Sequence, residues 1–167
     1  EVTLLVIPEA VNIPTGGTAI TDYYALYKKA LTQCNELQDR FTVMDVYPGG
    51  VVQDLRDEDL GEIEFLKYGA AYYPRLHTTI DYDYPTGTLV TVNGVTGSTD
   101  LDQLKTNNNA YFNMARAAIN GLEMLLPAAP AVVGKYALTD NKRGVWKAPA
   151  NVGISLVTRP EVVISHN

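Results

Sequence analysis

Two strand patterns with a helix pattern between them occupy the first part of the chain. Val2–Ile7 is a continuous apolar run that ends at Pro8, which is typical of a strand buried on both faces. Phe41–Val46 has a second strand pattern. Between them, a loop over Asn12–Ile20 with Pro14, Gly16 and Gly17 precedes a helix that Thr21 or Asp22 caps and that ends near Asp39. Its apolar positions form one stripe at helical spacing: Tyr23, Leu26, Tyr27, Ala30, Leu31, Cys34 and Leu37.

The alternation continues with a helix and a third strand. Asp57–Lys67 has an acidic first turn, which is favourable at a helix N-terminus, and Ala70–His77 is a strand pattern. Strand, helix, strand, helix, strand indicates an α/β fold, with a mainly parallel sheet flanked by helices in a layered sandwich.

Residues 81–104 interrupt this alternation. They contain alternating positions around an Asn-Gly pair, which predicts a small β-hairpin insertion. Helices are predicted over Asn108–Gly121 and Ala128–Leu138, and strands over Val152–Val157 and Glu161–Ile164. We therefore expect a single α/β domain over residues 1–167 with an insertion at 81–104. Because both ends lie in strand patterns and no initiator Met is present, we expect this domain to be a fragment of a longer chain.

Composition narrows the choice of partners. The formal charge is −6 and the pI about 4.8, which argues against binding to nucleic acid or to an anionic membrane. The longest apolar run, Met124–Gly134, is short and contains Pro127 and Pro130, so it does not predict a membrane span. Cys34 is the only cysteine, which excludes an internal disulfide and fits a reducing cytoplasm.

No catalytic or cofactor motif emerges. The three serines, Ser98, Ser155 and Ser165, lie outside any G-x-S-x-G elbow, and we interpret His77 and His166 as surface or packing residues. Cys34 lies in the apolar stripe, where a cysteine acts as a small hydrophobe. We therefore predict no enzyme activity and no cofactor.

Metal and nucleotide motifs are incomplete as well. The carboxylates at Asp54, Asp57, Glu58 and Asp59, like Asp81 and Asp83, lack the spacing of a calcium loop and are read as solvated loop charges. The glycine-rich turns "PTGGT" and "PGG" lack the remaining residues of a phosphate loop. Eleven tyrosines are spread along the chain, and each can serve core packing or an interface.

One segment carries a long, specific motif. "GKYALTDNKRGVWKAPANVGI" resembles the signature of the tail sheath proteins of contractile phages and contractile injection systems. "AAYYPRL" resembles a further segment of that family, whereas "LLPAAPAVVG" departs from the turn usual at its position. The matching positions are Gly134, Tyr136, Ala137, Asp140, Arg143, Gly144, Val145, Trp146, Lys147, Ala148, Pro149, Ala150 and Asn151.

The resemblance implies the central domain of a sheath subunit, called subtilisin-like for its layout but without catalysis. Such subunits assemble into stacked hexameric rings around an inner tail tube and contract to drive it through a target envelope. The tube would be contacted through parts outside these residues. The expected location is a virion tail or phage-tail-like particle that is assembled in the bacterial cytoplasm. The alternative is an α/β hydrolase-like or ligand-binding domain without a recognisable active-site motif.

Physical chemistry suggests roles for the signature residues. Gly144 allows a turn, Trp146 offers a large apolar anchor, and Pro149 stiffens the exit. Arg143 and Lys147 can pair with carboxylates of the same or a neighbouring subunit. Tyr136, Asp140 and Asn151 complete the set of candidate interface residues. Packing within the domain and contact between subunits are both open at this point.

Overall fold

The computed structural model describes residues 3–13 and 18–164. The chain divides into two compact units, one formed by Glu1–His77 with Leu125–Asn167 and the other by Thr78–Met124. The prediction of one domain over residues 1–167 stays a prediction. The glycine-rich turn predicted at residues 14–17 lies outside the described residues, as do Ser165 and His166.

A three-stranded parallel sheet forms the centre of the first unit. Strands β1 (Leu4–Val6), β2 (Phe41–Asp45) and β3 (Gly69–Tyr72) lie in the order β1-β2-β3, with Leu4 opposite Phe41 and Thr42 opposite Gly69. Helix α1 (Ala19–Leu37) connects β1 to β2, after a short 3-10 helix at Pro8–Asn12. The predicted α/β fold with a parallel sheet is confirmed.

The buried strand β2 separates two helical layers. Thr42 and Met44 face α1: the Thr42 hydroxyl lies 3.1 Å from Cys34 Sγ, and Met44 belongs to the same core cluster as Tyr23, Tyr27 and Leu31. Asp45 points the other way, towards helix α6 (Ala128–Arg143), as side-chain alternation in a strand requires. The tyrosines of α1 fill the core, which explains why Tyr23, Tyr24 and Tyr27 are each at most 1% exposed.

The predicted helix over Asp57–Lys67 is wrong. Two short helices, α2 (Val52–Asp57) and α3 (Ile63–Leu66), stand on either side of Gly61, which has φ +100°. A non-glycine residue rarely adopts that conformation, so the glycine ends the helical pattern. The predicted third strand also divides, into β3 and β4 (Leu76–Thr78), around the cis peptide between Tyr73 and Pro74. Proline has no N–H for the ladder.

A second three-stranded sheet has the order β5-β4-β6, with β5 at Met124–Leu126 and β6 at Val157–Pro160. Strand β5 was not predicted, because a short apolar run between a helix and two prolines has no clear period. The two predicted strands over Val152–Val157 and Glu161–Ile164 are replaced by the single strand β6. Helix α6 extends past the predicted end at Leu138 to Arg143.

Most of the regular structure in the second unit is helical. It contains a 3-10 helix (Gly87–Leu89), helix α4 (Leu101–Asn107) and helix α5 (Asn109–Asn120). The side chains of Asp100 and Asn108 cap these two α-helices by accepting from the N–H groups of Gln103 and Tyr111. The predicted hairpin within 81–104 is reduced to one antiparallel bridge between Thr91 and Asp100.

Candidate functional site

The signature segment begins inside helix α6, and a buried carboxylate fixes the start of that helix. Asp45 Oδ1 accepts hydrogen bonds from the backbone N–H groups of Ala128 (2.7 Å) and Ala129 (2.8 Å). Burial raises the pKa of the Asp45 carboxyl, while these two bonds to its charged form act in the opposite direction. The end of β2 therefore determines where α6 begins.

Helix α6 ends at Gly144, and the chain then makes a tight turn. The Gly144 N–H donates to Asp140 O at 2.9 Å, and the Lys147 N–H donates to Gly144 O at 3.1 Å. Gly144 has φ +88° and ψ 158°, a region that only glycine adopts readily. Lys142 and Arg143 lie in the last turn of α6, where cations favour the helix dipole. We call Arg143–Lys147 the signature turn.

The apolar residues of the signature turn point into solvent. Val145 is 83% exposed and Trp146 is 84% exposed. Lys147 Nζ donates to Ala148 O at 3.0 Å, and Arg143 is exposed without an ion pair among the described residues. Trp146 is thus outside the core of its own unit. Of the two roles that the sequence left open, contact between subunits stays untested.

The rest of the signature packs along α6. Pro149, Ala150, Val152 and Ile154 line a shallow groove together with Tyr72 and Tyr136, whose hydroxyls share a hydrogen bond. Burial, followed by the contact with Tyr136, raises the pKa of Tyr72 to about 12. Asn151 has φ +56°, a conformation that asparagine tolerates better than most residues. Tyr136 and Pro149 are therefore brought together, away from the outward-facing Trp146.

A cleft at the carboxyl ends of β2 and β3 is the natural place for a ligand in an α/β fold. Asp45, Tyr47, Tyr72, Arg75 and Glu161 line it. Its charged groups already have partners: Asp45 caps α6, and Arg75 donates from Nε (2.9 Å) and Nη2 (2.6 Å) to the Glu161 carboxylate. These bonds hold the pKa of Glu161 below its usual value. The cleft offers binding space, but these three groups already make structural bonds.

The candidate nucleophiles are likewise engaged. Cys34 is fully buried against Thr42, in agreement with its assignment to the apolar stripe. Ser98 Oγ is within 3.2 Å of Asn107 Nδ2, and Ser155 Oγ accepts from Lys135 Nζ at 3.5 Å. His77 lies in strand β4. Absence of catalysis stays a prediction.

The carboxylates of the α2 region bond within the first unit rather than standing free. Asp54 accepts from the Val51 N–H (2.7 Å), Asp57 from Gln53 (2.8 Å) and Glu58 from Thr21 (3.4 Å), while Asp59 pairs with Lys28. Among residues 3–13 and 18–164, no cluster of three His, Cys, Asp or Glu side chains is suited to a metal ion. No helix of the described part of the chain combines the length and apolarity needed to cross a bilayer.

An apolar groove beside these carboxylates was not predicted from the sequence. Leu31 and Met44 form its floor, and Leu55, Leu60 and Leu66 line it from the α2–α3 region. The charged residues Arg56, Glu58 and Asp59 are also in the lining. Its volume is about 1100 Å³, including space open to solvent. We call it the α2–α3 groove. Gly61 interrupts the predicted helix in the sequence, but it does not indicate a groove.

Comparisons with known proteins are informative about the fold. No family model matches the sequence, and no curated protein matches it. Among solved structures, a chain in the cryo-EM structure of the anti-feeding prophage (AFP) baseplate in contracted state matches with a TM-score of 0.56 and 20% identity. The match covers 95% of this chain and 32% of that chain. At this identity the likeness shows a shared fold, within a protein of which our chain spans about a third.

Proposed function

We propose that this chain is a structural subunit of a contractile injection device. The observation that carries the proposal is the shared fold over 95% of the chain with part of a protein in a contractile particle's baseplate. The signature from Gly134 to Asn151 supports it independently, because it was identified from residue types rather than from the fold.

Within such a device, the sheath is the component we propose. The signature resembles that of sheath proteins, and its exposed turn suits contact between copies. The subunits would form stacked hexameric rings around an inner tube, which they would reach through parts outside these residues. The assembly would be made in the bacterial cytoplasm and would act as a virion tail or phage-tail-like particle.

The proposed role is mechanical and does not require catalysis. Contraction would draw on contacts that are more favourable in the contracted lattice than in the extended one, because a conformational change needs such a difference in free energy. The parallel sheet, packed between α1 and α6, suits a unit that moves as a rigid body. The ligand cleft at the ends of β2 and β3 favours the alternative, a ligand-binding or hydrolase-like domain.

Sedimentation and negative-stain electron microscopy of the intact gene product test this proposal. The proposal predicts large particles with rings or tubes. A monodisperse monomer that hydrolyses ester or amide substrates would overturn it and favour the alternative. The control is the same preparation after Trp146→Ala substitution, which removes the exposed indole of the signature turn and leaves the cleft unchanged, and we expect it to form fewer particles.

A further inference from the structure

Two Asn-Gly pairs occur in the chain, Asn93–Gly94 and Asn120–Gly121, and the fold holds them in different ways. We infer that Asn93 is a site of spontaneous deamidation and that Asn120 is protected from the same reaction. Both pairs belong to the second unit, outside the signature turn and the ligand cleft. The modification is therefore independent of the proposed function.

The reaction needs only the two residues of a pair and water. The Gly94 amide nitrogen attacks Cγ of the Asn93 side chain, a bond forms between that nitrogen and Cγ, and the bond between Cγ and Nδ2 breaks. The proton of the attacking nitrogen leaves with Nδ2 as ammonia. Water then opens the cyclic imide: cleavage of the new bond gives aspartate, and cleavage of the original peptide bond gives isoaspartate. Glycine favours the attack because it has no Cβ atom beside the reacting nitrogen.

The first pair lies in an exposed loop of the second unit. The Val92 N–H donates to Thr99 O at 2.9 Å, and Asn93 and Gly94 follow beyond this bond, outside any helix or strand. Among residues 3–13 and 18–164, the Gly94 N–H has no hydrogen-bond acceptor. Gly94 has φ +82°, and a Cβ atom placed on it would have nothing within 4 Å. The attacking nitrogen is thus unengaged, with open space for ring closure.

The second pair is held by the end of helix α5. Asn120 is the last residue of that helix, and the Gly121 N–H donates to Ala117 O and Ala118 O, both at 3.1 Å. Gly121 has φ −88° and ψ −4°, so it continues the helical conformation. Attack on Asn120 would have to break both bonds and turn the nitrogen out of the helix. The reaction there requires local opening of α5.

Neither exposure nor local sequence separates the two pairs. Both asparagines and both glycines are exposed. An apolar β-branched residue precedes each pair, Val92 or Ile119, and an apolar residue follows each, Val95 or Leu122. The difference in hydrogen bonding of the glycine N–H is what distinguishes them, so the chain contains its own matched control.

The product would change the surface of the second unit. Deamidation replaces a neutral amide with a carboxylate and makes the formal charge of −6 more negative. Isoaspartate also lengthens the backbone at residue 93, close to the antiparallel bridge between Thr91 and Asp100.

Peptide mapping of the intact gene product tests this inference. The native protein is incubated at mildly alkaline pH, which favours loss of the attacking amide proton, and well below its melting temperature. Samples are digested at intervals and analysed by mass spectrometry, and isoaspartate is detected by enzymatic methylation. We expect Asn93 to convert about tenfold faster than Asn120 or more, because the Gly121 amide reacts only from an opened state. In concentrated urea, where α5 is unfolded, both pairs should convert at similar rates.

A variant checks the assignment to position 93. Asn93→Gln should remove the modification from that peptide, because ring closure would need a larger ring, and should leave the rate at Asn120 unchanged. Equal rates at the two pairs in the native protein, faster conversion at Asn120, or no conversion at Asn93 would each overturn the inference. The same preference for Asn93 in urea would also overturn it, because local sequence rather than the fold would then cause the difference.

Discussion

The ring of Trp146 lies against the backbone of Gly144. A Cβ atom added to Gly144 would collide with Trp146 Cζ3 and Cη2, at separations closer than such contacts can be. The glycine therefore serves two purposes: it adopts φ +88°, and it leaves room for the indole. This is why an exposed Trp can hold a defined position at the end of α6.

Gly144→Ala should destabilise the first unit more than Trp146→Ala does. The alanine must adopt a conformation that costs about 1–3 kcal/mol and must also displace the indole. Trp146→Ala removes an exposed side chain, and such changes usually alter stability by about 0.5 kcal/mol or less. Thermal unfolding followed by circular dichroism measures both. An equally large loss of thermal stability in both variants would mean that Trp146 belongs to the core.

Asp45→Ala and Asp45→Asn should have different effects on unfolding. Alanine removes the acceptor for the Ala128 and Ala129 N–H groups, and losing a cap of this kind costs about 0.5–2 kcal/mol. Asparagine keeps an acceptor oxygen, so Asp45→Asn should lower the free energy of unfolding by less than Asp45→Ala does. Urea unfolding of the two variants beside the native chain gives the difference. Equal destabilisation by both would show that the carboxylate charge, rather than the acceptor, stabilises α6.

The effect of Asp45→Asn on folding stability should depend on pH, because the pKa of Asp45 is raised in the folded chain. A carboxyl with a higher pKa in the folded state holds its proton more tightly there. Its contribution to stability is therefore largest below the unfolded pKa of about 3.9 and declines as the pH rises through the folded value. Asparagine does not titrate, so its contribution does not decline in this way. The free energy of unfolding of the variant should therefore rise relative to that of the native chain as the pH rises. A constant difference across this range would contradict the burial effect.

Much of the first unit follows from sequence periodicity. Strand β2 and helix α1 were predictable because the apolar runs are long and regular, and because Tyr23, Tyr27 and Leu31 share one face. The α2–α3 region was not, because Gly61 changes the path of a chain whose local composition favours a helix. The hairpin prediction within 81–104 relied on the Asn-Gly pair, but the flanking segments form only one bridge.

The candidate site was predictable in part. The signature residues, Gly144 and Trp146 among them, stand out in the sequence because of their types and spacing. Which of them face solvent depends on where α6 ends and how residues 149–154 return along it, and periodicity does not encode that path. The α2–α3 groove depends on residues distant in sequence, such as Leu31 and Leu66, so no local pattern indicated it.

The ion pair between Arg75 and Glu161 should stabilise the first unit at neutral pH, and this stabilisation should be lost in acid. Arg75 holds the pKa of Glu161 below its unfolded value of about 4.3, so the contribution is present above that value and is lost as the pH falls through the lower, folded pKa. Both side chains are 28% exposed, and water screening limits the effect to about 1 kcal/mol. Glu161→Gln should lower the melting temperature at pH 7. In strong acid the melting temperatures of the variant and the native chain should become equal. A difference that persists unchanged in acid would contradict this assignment.

Cys34 should be unreactive in the folded chain. Its side chain is fully buried, and Sγ lies 3.1 Å from the Thr42 hydroxyl. A thiol reagent should label it only as fast as the first unit opens, and urea should accelerate labelling in step with unfolding. Val145→Cys, with a second and exposed thiol, is the positive control. Rapid labelling of Cys34 under native conditions would contradict this prediction and make Cys34 a candidate nucleophile.

The proposed function makes this chain a subunit of a contractile sheath. Cryo-electron microscopy of particles assembled from the intact gene product and its tube partner tests it most directly. We expect stacked rings of six copies around a central tube, into which the first unit fits as a rigid body with the signature turn at a contact between copies. A reconstruction in which the gene product forms no rings and occupies a single peripheral position in the particle would contradict it.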